Sequence, residues 1–184
     1  MDTYQAKQAL RKEIVARKKS YSKEVLGELS EKIMSLLEQS PQFQEASCVV
    51  LYHALPREVQ TAAFIDKWYQ KKNILLPLVV GDDLRLLLYE GVESLKMGAF
   101  GILEPREDGR ELPEEKIDLI VVPGVAFDKE RNRLGRGRGY YDRLLERLNV
   151  PKIGIGFGFQ LVPSVPTEPF DRKMDWVITE EGVF

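Results

Sequence analysis

The run Ile117-Asp118-Leu119-Ile120-Val121-Val122 leads straight into Pro123-Gly124-Val125-Ala126-Phe127-Asp128. That leads on to Arg133-Leu134-Gly135-Arg136-Gly137-Arg138-Gly139-Tyr140-Tyr141-Asp142-Arg143. The first stretch has the length and apolar content of a buried strand, and Tyr140 to Leu148 has helical periodicity. Between them lies a long loop in which Gly135, Gly137 and Gly139 alternate with Arg136 and Arg138. A strand, a glycine-rich loop and a helix start together suit an anion. Glycine lets successive N–H groups face one point, and the helix start adds partial positive charge. Arg133, Arg136 and Arg138 add fixed charge, and their mutual repulsion calls for an anion to offset it. The loop fits no common phosphate motif. G-x-x-x-x-G-K-[ST] is absent, and neither Gly135-x-Gly137-x-Gly139 nor Gly154-Ile155-Gly156-Phe157-Gly158 matches G-x-G-x-x-G. The second glycine run is expected to let another backbone or a flat ligand approach a strand.

Working outward, Asp2 or Thr3 caps a first helix reaching about Lys18, with Ala6, Leu10, Ile14 and Val15 as its apolar stripe. Ser22 caps a second, with Val25, Leu29, Ile33 and Leu36/Leu37 facing the core, and Ser40-Pro41 ends it. Ser47 to His53 reads as a buried strand, and a loop follows to Gln60. Thr61 opens a helix to about Lys72. Asn73 to Val80 is a strand whose Pro77 suggests an edge or strand end, and Leu84 to Tyr89 completes a hairpin with it. Gly91 to Glu115 reads as loops with one short helix. Lys152 to Phe157 and Asp175 to Thr179 are the last strands, separated by a surface connection at Pro163 to Pro169. Alternating strands and helices predict one α/β domain over residues 1–184 with a mainly parallel sheet. Ligands collect beyond the carboxyl ends of such strands. That end would gather the Tyr52–Glu58 loop, the Arg-Gly loop and the Phe157–Gln160 loop.

The net charge is only −2, which argues against a surface built throughout for nucleic acid or anionic membrane. A single cysteine excludes an internal disulfide and a cysteine-based zinc site, and it fits a reducing cytoplasm. No apolar stretch is long enough to span a bilayer, and the charged first 20 residues lack a signal-peptide core.

Cys48 and His53, five apart on one strand, would face opposite sides and cannot form a dyad. There is no G-x-S-x-G elbow. The chemistry is therefore expected to proceed without a protein nucleophile. Lys7 and Arg11, four apart, emerge on one helical face, as a solvated flank or an anion clamp. Asp142, in the first turn of a helix, either answers the helix dipole or holds Mg²⁺ against a polyphosphate. Asp171 alone reads as a loop charge, and Glu58 as a surface or capping charge.

The run Pro-Gly-Val-Ala-Phe-Asp…Arg-Leu-Gly-Arg-Gly-Arg-Gly-Tyr-Tyr-Asp-Arg resembles the signature of 5-formyltetrahydrofolate cyclo-ligases, also called 5,10-methenyltetrahydrofolate synthetases. The likeness covers nearly the whole chain. It includes Lys7-x-x-x-Arg11, Tyr52…Glu58-Val59-x-Thr61, Gly101-Ile102-x-Glu104-Pro105, Asp118-Leu119-Ile120 and Gln160…Pro166…Asp171-x-x-x-Asp175. Arg131 departs from the pattern, since the family usually has glycine there, and Asn132 is expected to supply the turn. The resemblance implies a three-layer α/β/α sandwich similar to sugar-phosphate isomerases and CoA transferases. It implies ATP contacts at Lys7, Arg11, Arg133, Leu134, Gly135, Arg136, Gly137, Arg138, Gly139, Tyr140 and Tyr141. It implies folate contacts at His53, Glu58, Arg136, Gly137, Arg138, Gly139 and Tyr140, Mg²⁺ ligands at Asp142 and Asp171, and Arg136, Arg138 and Glu58 as catalytic residues. The partners it implies are 5-formyltetrahydrofolate, with or without a polyglutamate tail, and ATP, on a monomer that binds neither nucleic acid nor membrane.

The reaction so implied converts 5-formyltetrahydrofolate and ATP to 5,10-methenyltetrahydrofolate, ADP and phosphate. The N5-formyl group is a formamide, with a weakly electrophilic carbon and a poor leaving oxygen. Phosphorylating that oxygen activates both, and N10 of the same molecule closes the ring. Nucleophile and electrophile both belong to the substrate, so the protein supplies positioning and charge. Two other readings stay open on the residues alone. One is a module that binds RNA through Arg-Gly-Arg-Gly. The other is an isomerase or CoA-transferase relative using Glu58 or Glu104.

Overall fold

Asp2 starts the first helix as expected: its carboxylate accepts from the Gln5 backbone N–H while the Gln5 side chain accepts from the Asp2 N–H. A computed structural model describes residues 1–184, the side chain of Phe100 excepted. In chain order the elements begin α1 (Thr3–Lys19), α2 (Lys23–Gln39), α3 (Pro41–Glu45), β1 (Cys48–Val50), α4 (Ala62–Trp68), β2 (Asn73–Val80) and β3 (Asp83–Leu88). They continue β4 (Leu95–Met97), β5 (Leu103–Pro105), β6 (Leu119–Pro123), β7 (Ala126–Phe127), β8 (Arg133–Leu134), α5 (Tyr140–Arg147), β9 (Lys152–Ile155), β10 (Trp176–Thr179) and β11 (Gly182–Val183).

The main sheet has the order β11-β10-β9-β6-β1-β2-β3. Strands β10, β9, β6, β1 and β2 run parallel, and β3 and β11 are antiparallel at the two edges. This is the mainly parallel α/β sheet that the alternation of elements predicts. Each face of the sheet carries its own core. Val49, Leu51, Val121 and Ile153 meet Ile33 and Leu37 of α2, Phe43 of α3 and Ile65 of α4. Val50, Ile120, Val122 and Val177 meet Leu144 and Leu145 of α5 and the adjoining Leu148. Helices thus lie on both sides, in three layers. Helix α1 packs elsewhere: its Ile14 joins Ala126, Leu134, Val162 and Val165 over the β7–β8 ribbon.

Several expectations need correction. Ile14 is buried as expected, but Val15 and Val25 are exposed, and on α2 Leu26, Ser30 and Met34 are buried beyond the expected stripe. Pro41 does end α2, but it also opens α3 as its first residue, with Ser40 as the cap. The helix after Thr61 ends at Trp68, not Lys72. Gly91 to Glu115 holds a two-stranded sheet, β4 with β5, and short 3₁₀ turns. The long loop contains its own ribbon, β7 with β8. The C-terminal strand is followed by another, β11. Asn132 does not supply the left-handed turn; Arg131 does, at φ 66°.

Pro77 sits on β2, which is flanked on both sides, yet it still occupies an open position. Strand β1 pairs with β2 only over Asn73–Leu75. Tyr89 N–H donates to Ile74 C=O, so along β2 the alternate residue Pro77, opposite Leu86, has its nitrogen turned away from β3. That side faces the region beyond the end of β1, where no ladder partner is lost.

Candidate functional site

Beyond the carboxyl ends of β1 and β6 lies a cleft of about 800 Å³. Four segments supply its chemistry: α1, the Tyr52–Glu58 loop, the stretch from Arg133 to Arg143, and the stretch from Glu168 to Asp171. Every residue that the sequence nominates lines it: Lys7, Arg11, His53, Glu58, Arg133 through Tyr141, Asp142 and Asp171.

Glu58 and Arg136 meet across the cleft, Nη2 to Oε1 2.7 Å. Glu58 is nearly enclosed (14% exposed) and its other oxygen accepts from Leu55 N–H, whereas Arg136 is open (59%). The Arg138 side chain makes no hydrogen bond or ion pair among the described residues, although it lines the same wall. Arg11 donates to Gly135 C=O at 2.9 Å and lies over Gly137, which holds φ 99°. Gly139 caps α5 at φ 72°, and a Cβ there would come within 2.6 Å of the Arg143 guanidinium. These contacts give the glycine spacing its physical meaning: basic side chains lie directly on the loop backbone.

Arg133 behaves differently from the other arginines. It is buried, donates to Pro123 C=O, lies over the Tyr141 ring and approaches Asp142 at 3.5 Å. Burial lowers its pKa, opposed by the Asp142 carboxylate. Leu134 is buried in the core beneath α1. Tyr141 is pushed up by burial and stays a neutral phenol.

Lys7, only 6% exposed, holds Asp171 at 2.6 Å and Glu168 at 2.7 Å. Asp171 also accepts from Glu168 N–H, and Asp142 accepts from Arg172 N–H. The last bond brings the two expected metal carboxylates to neighbouring points of the cleft wall. No cluster of three or more potential metal ligands exists among the described residues. A hard cation that takes one or two carboxylates and completes its shell with phosphate and water does not need one, and Asp142 and Asp171 suit it.

His53 is half-buried and its Nδ1 is buried without a partner. Burial lowers its pKa, opposed by Asp66, so at neutral pH the ring is uncharged. Cys48 lies on β1 in the core under α5, but that strand ends at Val50 and not at His53, so His53 stands in the loop beyond it and the two do not share a strand. Gln160 does not reach the cleft. Its amide donates to Gly124 and Val125 C=O and its oxygen accepts from Phe157 N–H, so the third loop braces the start of the Arg-Gly segment. The flat group over Gly154 and Gly156 is the ring of Phe127, not a ligand.

Sequence reasoning missed Tyr4, Gln8, Glu168 and Phe170 as lining residues. Tyr4 and Gln8 share a helical face with Lys7 and Arg11 and were recoverable from that spacing. Glu168 lies 161 residues from Lys7, and nothing local signals the contact.

A mainly parallel α/β sheet with a basic, carboxylate-bearing cleft at its carboxyl ends defines a class of enzymes that work on anionic substrates. The 5-formyltetrahydrofolate cyclo-ligase family model matches residues 3–180. A probable 5-formyltetrahydrofolate cyclo-ligase of Schizosaccharomyces pombe is 34% identical over 162 residues, covering 78% of this chain and 79% of the relative. The enzyme of that name from Haemophilus influenzae is 35% identical over 147 residues, covering 75% and 76%. The NMR structure of Aquifex aeolicus 5,10-methenyltetrahydrofolate synthetase superposes with a TM-score of 0.86 at 38% identity, over 96% of this chain and 91% of that one. A 5,10-methenyltetrahydrofolate synthetase from Mycoplasma pneumoniae gives 0.76 at 27%, over 98% and 99%. The chain belongs to the 5-formyltetrahydrofolate cyclo-ligase family. Its activity is the family's, a ligase reaction that forms 5,10-methenyltetrahydrofolate with ATP as co-substrate.

Proposed function

We propose that the cleft divides between the two substrates, with the Glu58–Arg136 pair at their junction. Lys7, Arg11 and the backbone and side chains of Arg133 to Tyr141 take the ATP phosphates. His53 and Glu58 take the pterin end of 5-formyltetrahydrofolate, whose formyl oxygen then lies towards Arg136, Gly137, Arg138, Gly139 and Tyr140. Asp142 and Asp171 hold Mg²⁺, which offsets charge on the nucleotide phosphates when bound. Lys7 then moves its ammonium from Asp171 towards phosphate, which its three rotatable donors allow.

The γ-phosphoryl group passes to the formyl oxygen, N10 attacks the activated carbon, and phosphate leaves with ADP as the other product. Arg136 and Arg138 stabilise the phosphoryl in flight, and Glu58 orients the folate. Neutral His53 offers a hydrogen bond without adding charge beside the pterin. The observation that carries this reading is the convergence of α1, the Glu58 turn and the Arg-Gly segment on one cleft that offers no nucleophile–base pair.

Residues 1–184 form a single functional domain, active as a monomer in the cytoplasm. Nucleic acid and membrane are not its partners. The −2 net charge and the single, buried cysteine support this part of the reading. No helix among the described residues is long and apolar enough to cross a membrane. The direct test is absorbance of the methenyl product during incubation with 5-formyltetrahydrofolate and Mg-ATP. An ATP-dependent rise is expected, and its absence with folded protein overturns the reading.

A further inference from the structure

The Glu58 side chain projects from a tight turn, and the residue before it is strained. Glu58 N–H donates to Leu55 C=O at 3.1 Å, closing a four-residue turn with Pro56 second and Arg57 third. Arg57 holds φ 67°. Proline second and positive φ third is the pattern of a type II turn, whose third place belongs to glycine or asparagine. A strained residue of this kind is held by its surroundings, and at Arg57 the side chain itself supplies the hold. One guanidinium nitrogen, Nη2, donates to Lys18 C=O at 2.7 Å and to Tyr21 C=O at 2.8 Å. The Lys18 carbonyl is in the last turn of α1 and the Tyr21 carbonyl just past its Ser20 cap, where the negative end of the helix dipole favours a cation.

Helix α1 is the element that carries Lys7 and Arg11, and Arg11 already holds the Arg-Gly loop through Gly135. Arg57 fixes the Glu58 turn to the other end of the same helix. With that end held, Glu58 presents one oxygen to Leu55 N–H and the other to Arg136. We infer that Arg57 is a positioning residue: its two-carbonyl clasp on α1 holds the turn so that Glu58 meets the folate in register with the loop that handles phosphate. This deepens, and rests on, the reading of Glu58 as a folate contact.

Glycine at position 57 takes the positive φ freely and removes only the clasp, so Arg57→Gly separates the clasp from the backbone turn. The experiment measures steady-state kinetics and thermal melts for Arg57→Gly, Arg57→Lys, Glu58→Gln and the double variant Arg57→Gly/Glu58→Gln. Arg57→Gly is expected to melt cooperatively and to raise KM for 5-formyltetrahydrofolate about fivefold, with KM for Mg-ATP little changed. Arg57→Lys recovers part of that rise. Because Arg57 acts through Glu58, the double variant shows no greater KM than Glu58→Gln alone. A raised folate KM in Glu58→Gln beside a wild-type value in Arg57→Gly overturns the clasp and leaves Glu58 as a contact. A silent Glu58→Gln removes the contact and the clasp together. Additive effects in the double variant also overturn the proposal, since Arg57 would then act on something other than Glu58.

Discussion

Arg131 holds φ 66° in the turn between β7 and β8, and its exposed side chain forms no hydrogen bond or ion pair among the described residues. The turn is held by other groups. Buried Asp128 accepts from the Asn132 N–H, the Asn132 amide and the Val165 N–H. The backbone of Arg131 donates to Asp128 C=O and accepts from Met174 N–H. Arg57 shares the conformation but uses its side chain; Arg131 does not. Left-handed backbone costs a non-glycine residue about 1–2 kcal/mol. Glycine's extra unfolded-state freedom gives back about 0.5–1 kcal/mol of that. Arg131→Gly is therefore expected to stabilise by about 0.5–1 kcal/mol, read as a rise of roughly 1–4 °C in Tm. An unchanged or lower Tm would show that the turn is not strained. Arg138 gives the opposite expectation. Its charge faces the cleft and no protein group is held by it, so Arg138→Ala should leave the melt unchanged. Turnover should fall about 10²-fold, as for loss of one donor to a developing charge. A wild-type kcat would exclude Arg138 from the phosphoryl's surroundings. The sequence announced Arg138 through its glycine neighbours. It hid Arg57, because the glycine that marks such a turn is missing and only Pro56 remained as a signal.

Helix α1 joins parts of the chain that no local pattern connects. Its first half reaches Asp171 and Glu168 through Lys7, its middle reaches Gly135 through Arg11, and its end receives Arg57. Its periodicity was readable, and so was the basic pair at four-residue spacing. The apolar stripe read from the sequence takes in Ile14 correctly and extends one residue too far, to Val15, because the two are both apolar and only 100° apart on the helix. Val25 and Leu26 were confused in the same way. The ribbons β4–β5 and β7–β8 escaped because strands of two or three residues are too short to show alternation. The partners of Lys7 were illegible for a different reason, since ion pairs across the whole chain leave no trace in local sequence. Their energetic content can be tested. Lys7→Met keeps most of the side-chain volume and leaves two carboxylates facing each other without a cation. A loss of about 2–3 kcal/mol in urea melts is expected, somewhat below the full cost of breaking a buried pair because Glu168 is partly exposed. Adding Asp171→Asn should return part of that loss. Wild-type stability of Lys7→Met would mean that the cluster exists for ligand binding alone.

At the scale of the whole molecule, the seven-stranded sheet makes one cooperative unit of the two layers around it, and Cys48 reports on that unit. It lies on β1, between β6 and β2 at the middle of the sheet, buried against the α5 layer. Burial, with help from the Asp118 carboxylate, pushes its thiol up to about 11. A thiol so placed is protonated at pH 8 in the native state and becomes an ordinary reactive thiolate source only when the sheet opens. Labelling of Cys48 by an aromatic disulfide reagent should therefore follow global unfolding, with the same urea dependence as the equilibrium melt. A ligand that binds only the native state suppresses opening by the factor 1 + [L]/Kd. Saturation with ATP at 100 times its Kd is then expected to slow labelling about a hundredfold. Labelling at the rate of a free thiol would show that β1 is exposed by local opening. Slow labelling that ATP does not change would show that the cleft and the centre of the sheet are not one folding unit. The expected result ties the two together: α1 and the Arg-Gly segment close the cleft, and their anchors, Ile14 and Leu134 on one side and Leu144 on the other, are buried in the packing around the sheet and its ribbon.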